Sequence, residues 1–172
     1  MRGFVCVMSL LLTLVSVAHV GAETGYDLWL RYGPIEDAAQ RDAYRKVLSA
    51  LVVTPDSDTG RVIAAELQRG LGGMLGTPPR VAQTLDADGT VVVGTPASSP
   101  LIAGLGLGEA LTRAGGEGYV IRSLTTGAAA GAAARATTGA AAAGHAVTVI
   151  ASQSDVGALY GAFHLLRLIQ TR

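Results

Sequence analysis

From Thr125 to Ala146 the chain carries no large apolar side chain. The run TTGAAAGAAARATTGAAAAGHA is nearly all alanine, glycine and threonine, and Arg135 and His145 are its only ionisable residues. Alanine favours a helix, but Gly127, Gly131, Gly139 and Gly144 each oppose one by about 1 kcal/mol. A segment with nothing to bury cannot join a core. Residues 125–145 therefore read as a flexible, low-complexity hairpin insertion without chemistry of its own. The core must come from the sequence on either side.

The N-terminus opens MRGFVCVMSLLLTLVSVAHVGAET. Arg2 gives a short positive start, Phe4 to Val17 are mostly apolar, and Val20-Gly21-Ala22 places small residues before a cleavage point. This is the layout of a secretory signal peptide over residues 1–22, with export to the periplasm or the outside. The apolar run falls short of the ~20 residues of a membrane span, so no membrane association is expected after cleavage. The one cysteine, Cys6, lies within this leader. The mature domain, residues 23–172, then has no disulfide, and packing alone must hold it.

Charge excludes more than it suggests. Without Arg2, 12 basic residues face 13 acidic ones. A near-neutral chain with no basic cluster lacks the footprint of a nucleic-acid binder.

Along the mature chain, YDLWLRY (Tyr26 to Tyr32) alternates as a half-buried strand does, and Gly33-Pro34 breaks it. Tyr44, Val47, Leu48 and Leu51 predict a helix from Ile35 to Leu51, with Glu36 and Asp37 near its start. TPDSDTG (Thr54 to Gly60) is turn chemistry. RVIAAELQRGLGGMLG then carries an apolar stripe at Ile63, Leu67, Leu71, Met74 and Leu75. Gly70, Gly72 and Gly73 weaken the second half of that helix, and Gly76 with Pro78-Pro79 ends it. GTVVVGTP (Gly89 to Pro96) is a β-branched strand. An apolar segment, Leu101 to Leu107, and a helix, Leu107 to Arg113, follow. GYVIRS (Gly118 to Ser123) and AVTVIAS (Ala146 to Ser152) read as strands. The closing helix runs from Asp155 to Ile169, capped by Ser154. The order predicts an α/β layer structure: an α+β two-layer sandwich with a small mixed sheet. It has too few crossovers for a doubly wound nucleotide fold.

Each candidate for chemistry has a simpler structural use. GLGGMLG lies in a helical pattern with no following lysine, and Gly104, Gly106 and Gly108 are misspaced for a dinucleotide fingerprint. His19, His145 and His164 do not converge with other ligands, so no metal site and no cofactor are expected. His164 reads as a helix residue satisfied by a neighbour. Asp86 and Asp88 sit in LDADGT, which reads as a hairpin turn. Glu36 and Asp37 start a helix, Asp56 and Asp58 belong to a turn, and Glu117 and Asp155 each begin an element. No catalytic pair of carboxylates is nominated. Gly157 and Gly161 repeat a small-xxx-small spacing; in this setting they let the last helix lie close to the sheet, flanked by Tyr160 and Phe163.

Five stretches carry a resemblance: GYDLWLRY, AAELQRGLGGMLG, GTVVVGTPASSPLIAGL, EGYVIRS and DVGALYGAFHLLRLIQT. In this order they resemble the N-terminal domain of α-glucuronidases of glycoside hydrolase family 67, over Gly25 to Thr171. The Ala/Gly stretch is a departure, longer than the usual connection. The resemblance implies a two-layer α/β accessory domain similar to that of hexosaminidases, ahead of a (β/α)8 barrel. It also implies inverting hydrolysis that removes 4-O-methylglucuronic acid from xylan-derived oligosaccharides. The acid and base carboxylates of such enzymes lie in the barrel, so no catalytic residue carries over. The chain is expected to be a truncated or split product, silent alone, with the barrel as its partner and an apolar face that can also pair two copies. The alternatives are a stand-alone carbohydrate-binding module using Tyr26, Trp29, Tyr32 and Tyr119, and an accessory domain of another glycosidase such as a β-hexosaminidase.

Overall fold

Past Gly33-Pro34, the Asp37 carboxylate accepts hydrogen bonds from the backbone N–H groups of Ala39 and Gln40. These are donors that a helix start leaves open. In the computed structural model, which describes residues 31–126 and 144–171, this cap begins helix α1, Ala38–Val47. Arg31 aside, the described residues belong to one unit that begins at Tyr32.

The helix expected over Ile35 to Leu51 is too long at both ends. Val47 is half exposed while Leu48 is buried, and Leu48 ends the helix. The next residues form strand β1, Ala50–Val53. A strand covered on both faces reads as an unbroken apolar run, which helical spacing can mimic. Of the strand expected over Tyr26 to Tyr32, residues 26–30 lie outside the described residues. Tyr32 itself is not extended; it has φ 41°.

The remaining elements are α2 (Asp58–Leu75), β2 (Arg80–Val81), β3 (Thr90–Gly94), α3 (Pro100–Ala103), α4 (Gly108–Ala114), β4 (Tyr119–Thr125), β5 (Ala146–Ser152) and α5 (Asp155–Gln170). The sheet order is β2-β1-β3-β5-β4. All neighbours are parallel except β4, which runs antiparallel to β5. Central β3 is buried along its whole length. It aligns Val91 with Leu51 and Thr148, and Val93 with Val53 and Ile150.

This topology corrects two local readings. β2 and β3 flank β1 on opposite sides, both parallel to it, so LDADGT is no hairpin turn but a connection between separated parallel strands. Asp58 is the first residue of α2 rather than part of a turn, with Ser57 capping Gly60 N–H. The β4–β5 pair, by contrast, is antiparallel. Its end is tied by Thr126 N–H to the His145 carbonyl and by His145 N–H to Thr126 Oγ1, both at 3.0 Å. Residues 127–143 of the insertion lie outside the described residues.

The fold is a mixed α/β two-layer sandwich. Helices α2 and α5 pack on each other and on one face of the sheet. On the other face Leu101, Ile102, Leu105, Leu107 and Leu111 cover Val52, Val92, Val147, Val149 and Ala151. Glycine decides the approach of the helices. A Cβ on Gly70 would lie 2.7 Å from Leu166 Cδ2, and one on Gly73 would lie 2.7 Å from the Tyr32 carbonyl oxygen. These close approaches give Gly70 and Gly73 a packing role within a helix that runs unbroken to Leu75. Gly76, at φ 78°, then ends it.

Arg45 joins α1 to that end. Its Nε and Nη2 donate to the Leu75 carbonyl at 2.8 and 2.5 Å, while Nη1 meets Asp42 at 2.9 Å. Leu75 O is among the carbonyls that a helix C-terminus leaves unpaired. Arg45→Met keeps the aliphatic stem and removes the donors. We expect a loss of about 1 kcal/mol, the lower end for charged hydrogen bonds because the side chain is partly solvated. A lower urea midpoint with an unchanged slope would confirm it.

Candidate functional site

Among the described residues, chemistry-bearing side chains occupy five places in the fold. At the C-terminal ends of β1 and β3, Thr54, Thr95 and Ser98 form a hydroxyl cluster. Ser98 Oγ lies 3.0 Å from Thr54 Oγ1 and accepts from Thr95 N–H at 3.0 Å, while Thr95 Oγ1 accepts from Ser98 N–H at 3.0 Å. The reciprocal bonds resemble a capping box, each residue satisfying the other's backbone donor. Gly94 makes room: a Cβ there would overlap Thr54 Oγ1. Crevices at the carboxyl ends of parallel strands commonly bind ligands. Here the hydroxyls are engaged with one another.

Beside this cluster the N-termini of α2 and α5 are joined. Ser57 Oγ donates to Asp155 Oδ2 at 2.6 Å. Ser154 caps α5 through Gly157 N–H and donates to the Gly116 carbonyl. Asp155 thus begins its element, as expected, and its carboxylate is held by a hydroxyl at the positive end of a helix.

The histidines are apart. His164 Nδ1 lies 2.6 Å from Tyr119 Oη, with the two rings edge-on at 5.5 Å between centroids. That is the neighbour-satisfied helix residue expected from the sequence. His145 stands at the opposite end of the sheet, where its Nδ1 lies 3.2 Å from Asp88 Oδ1. The same oxygen accepts the Ala146 N–H at 2.9 Å. That backbone bond, and then His145, hold the Asp88 carboxyl below its ordinary range. Asp86 is lowered too, by its hydrogen bond to Arg80 at 2.7 Å.

A carboxylate with a depressed folded pKa stabilises the protein above its unfolded value, and loses that contribution as pH falls through the folded one. Stability should therefore decline below about pH 4, where free carboxyls take up protons. In Asp88→Asn this acid-side slope should be shallower, as thermal midpoints from pH 5 down to pH 2 would show. An unchanged slope would remove Asp88 from the explanation.

The fifth place is one that the sequence reading does not single out. Glu66, on α2, is only 6% exposed and accepts a 2.5 Å hydrogen bond from Tyr32 Oη. The signal was present, because position 66 falls on the buried stripe of Ile63, Leu67, Gly70 and Met74. A glutamate there needs a partner.

No element gathers these groups into a reaction centre. Among the described residues no three His, Cys, Asp or Glu side chains lie together to hold a metal. The glycine motifs are structural: Gly70 lies under Leu166, Gly104 ends α3, and Gly106 turns at φ 66°. Of the aromatics considered for sugar stacking, Tyr26 and Trp29 lie outside the described residues. Tyr32 is buried, and Tyr119 is partly buried against α5.

The surface is more informative. Val62, Val156 and Tyr160 are exposed by 50%, 39% and 48%. Val156 and Tyr160 are four residues apart, hence on one face of α5, outward from buried Gly157 and Gly161. The sequence places Tyr160 beside the glycine contact with the sheet. Instead Ile150 and Tyr119 occupy that contact, and Tyr160 faces away. Val62 sits near the start of α2, which Ser57 ties to the start of α5. Helices α2 and α5 thus each bear exposed apolar side chains.

The sequence pattern described as the glycosyl hydrolase family 67 N-terminus matches residues 28–165. The chain belongs to this family. The match covers every described element up to the middle of α5. A comparison with curated proteins finds no match. Membership in the family 67 N-terminal group makes this an accessory domain, and implies a catalytic domain as its partner in the same enzyme.

Proposed function

We propose that this chain is the N-terminal accessory domain of a secreted α-glucuronidase of xylan degradation, supporting release of 4-O-methylglucuronic acid from xylo-oligosaccharides. The observation that carries the reading is the family match over residues 28–165. Export follows from the leader at residues 1–22, with cleavage after Ala22. The domain docks on the catalytic barrel through the outer side of α2 and α5, where Val62, Val156 and Tyr160 are exposed. Large apolar side chains in water favour association. With no barrel present, the same side pairs two copies of the chain.

Catalysis is left to the partner. Glycoside hydrolysis needs two carboxyl groups across one bond. In this chain Asp37 caps α1, Asp155 is held by Ser57, Asp86 pairs with Arg80, and Glu66 is buried under Tyr32. The purified chain should release no 4-O-methylglucuronate from aldouronic acids. Turnover by the chain alone would overturn the assignment of the chemistry to the barrel.

A further inference from the structure

We draw no further inference here: the strongest candidate, the outer edge of β4 along Tyr119–Thr125, is a seven-residue strand with exposed Arg122 and Ser123 that pairs with β5 alone among the described residues, but nothing in the structure shows what covers it.

Discussion

Gly157→Val should lower the thermal midpoint by about 10 °C. A Cβ at this position would overlap Ser152 Oγ and lie 2.7 Å from the Glu117 carbonyl oxygen. Ser152 cannot simply turn aside. Its hydroxyl is buried, donates to the Gly118 carbonyl at 2.6 Å and accepts from Ser154 N–H at 3.2 Å. Relief must come from lifting α5 off the sheet near its first turn. Overpacking of this kind costs about 3 kcal/mol when the neighbours are backbone, and each kcal/mol moves the midpoint of a domain this size by about 3 °C. Gly108→Ala is the control, since nothing lies within 4 Å of its added Cβ. It should change stability by no more than about 0.5 kcal/mol. Equal effects at the two sites would contradict the close-approach explanation.

Leu166→Ala should be strongly destabilising. Leu166 is fully buried, and both its methyl groups reach Gly70 of α2. Removing a fully buried leucine side chain costs about 3–4 kcal/mol through lost transfer energy and the cavity left behind. Gly70→Ala should then recover about 1 kcal/mol in the Leu166→Ala background. Alanine gains roughly that much over glycine within a helix, and its methyl group no longer meets leucine. The Tyr32 ring, 3.0 Å from the new Cβ, must yield by a few tenths of an ångström. In the wild-type background the same substitution meets Leu166 as well, and should be neutral or harmful. A double-mutant cycle by chemical denaturation reads the coupling. Strict additivity would mean that α2 and α5 do not meet at this pair.

What was legible in the sequence follows from which signals are local. Strand β5 and the start of α5 coincide with the reading because AVTVIAS is β-branched and Ser154 caps through its own side chain. The roles of Gly157 and Gly161 were also legible, since a soluble helix with that spacing lies close to its neighbour. β1 was lost to a helix because ALVV is short and buried on both faces, leaving no alternation to detect. β2 has two residues and no pattern at all; its existence depends on pairing with Ala50 and Leu51. The Asp86–Asp88 segment read as a hairpin because turn residues announce a turn without saying which strands it joins. The partnership of Glu66 is not legible in the sequence, because it depends on Tyr32, thirty-four residues away. Local chemistry was readable, and long-range partnership was not.

Tyr160 turns outward in the fold. Read as sequence, it belonged with Phe163 against the sheet. In the fold, Gly161 receives Tyr119 and Ile150 from the sheet instead, leaving Tyr160 on the solvent side. A large aromatic held outward on a rigid helix is the kind of anchor that interfaces use.

We propose that this family 67 N-terminal domain works by docking on a catalytic domain through α2 and α5. The most direct test is calorimetric titration of the chain into a family 67 catalytic barrel freed of its own N-terminal domain. We predict saturable one-to-one binding that weakens at least tenfold in a Val156→Asp, Tyr160→Asp variant whose thermal midpoint is unchanged. Binding of equal strength by the variant, or no binding by the wild-type chain, would contradict the account.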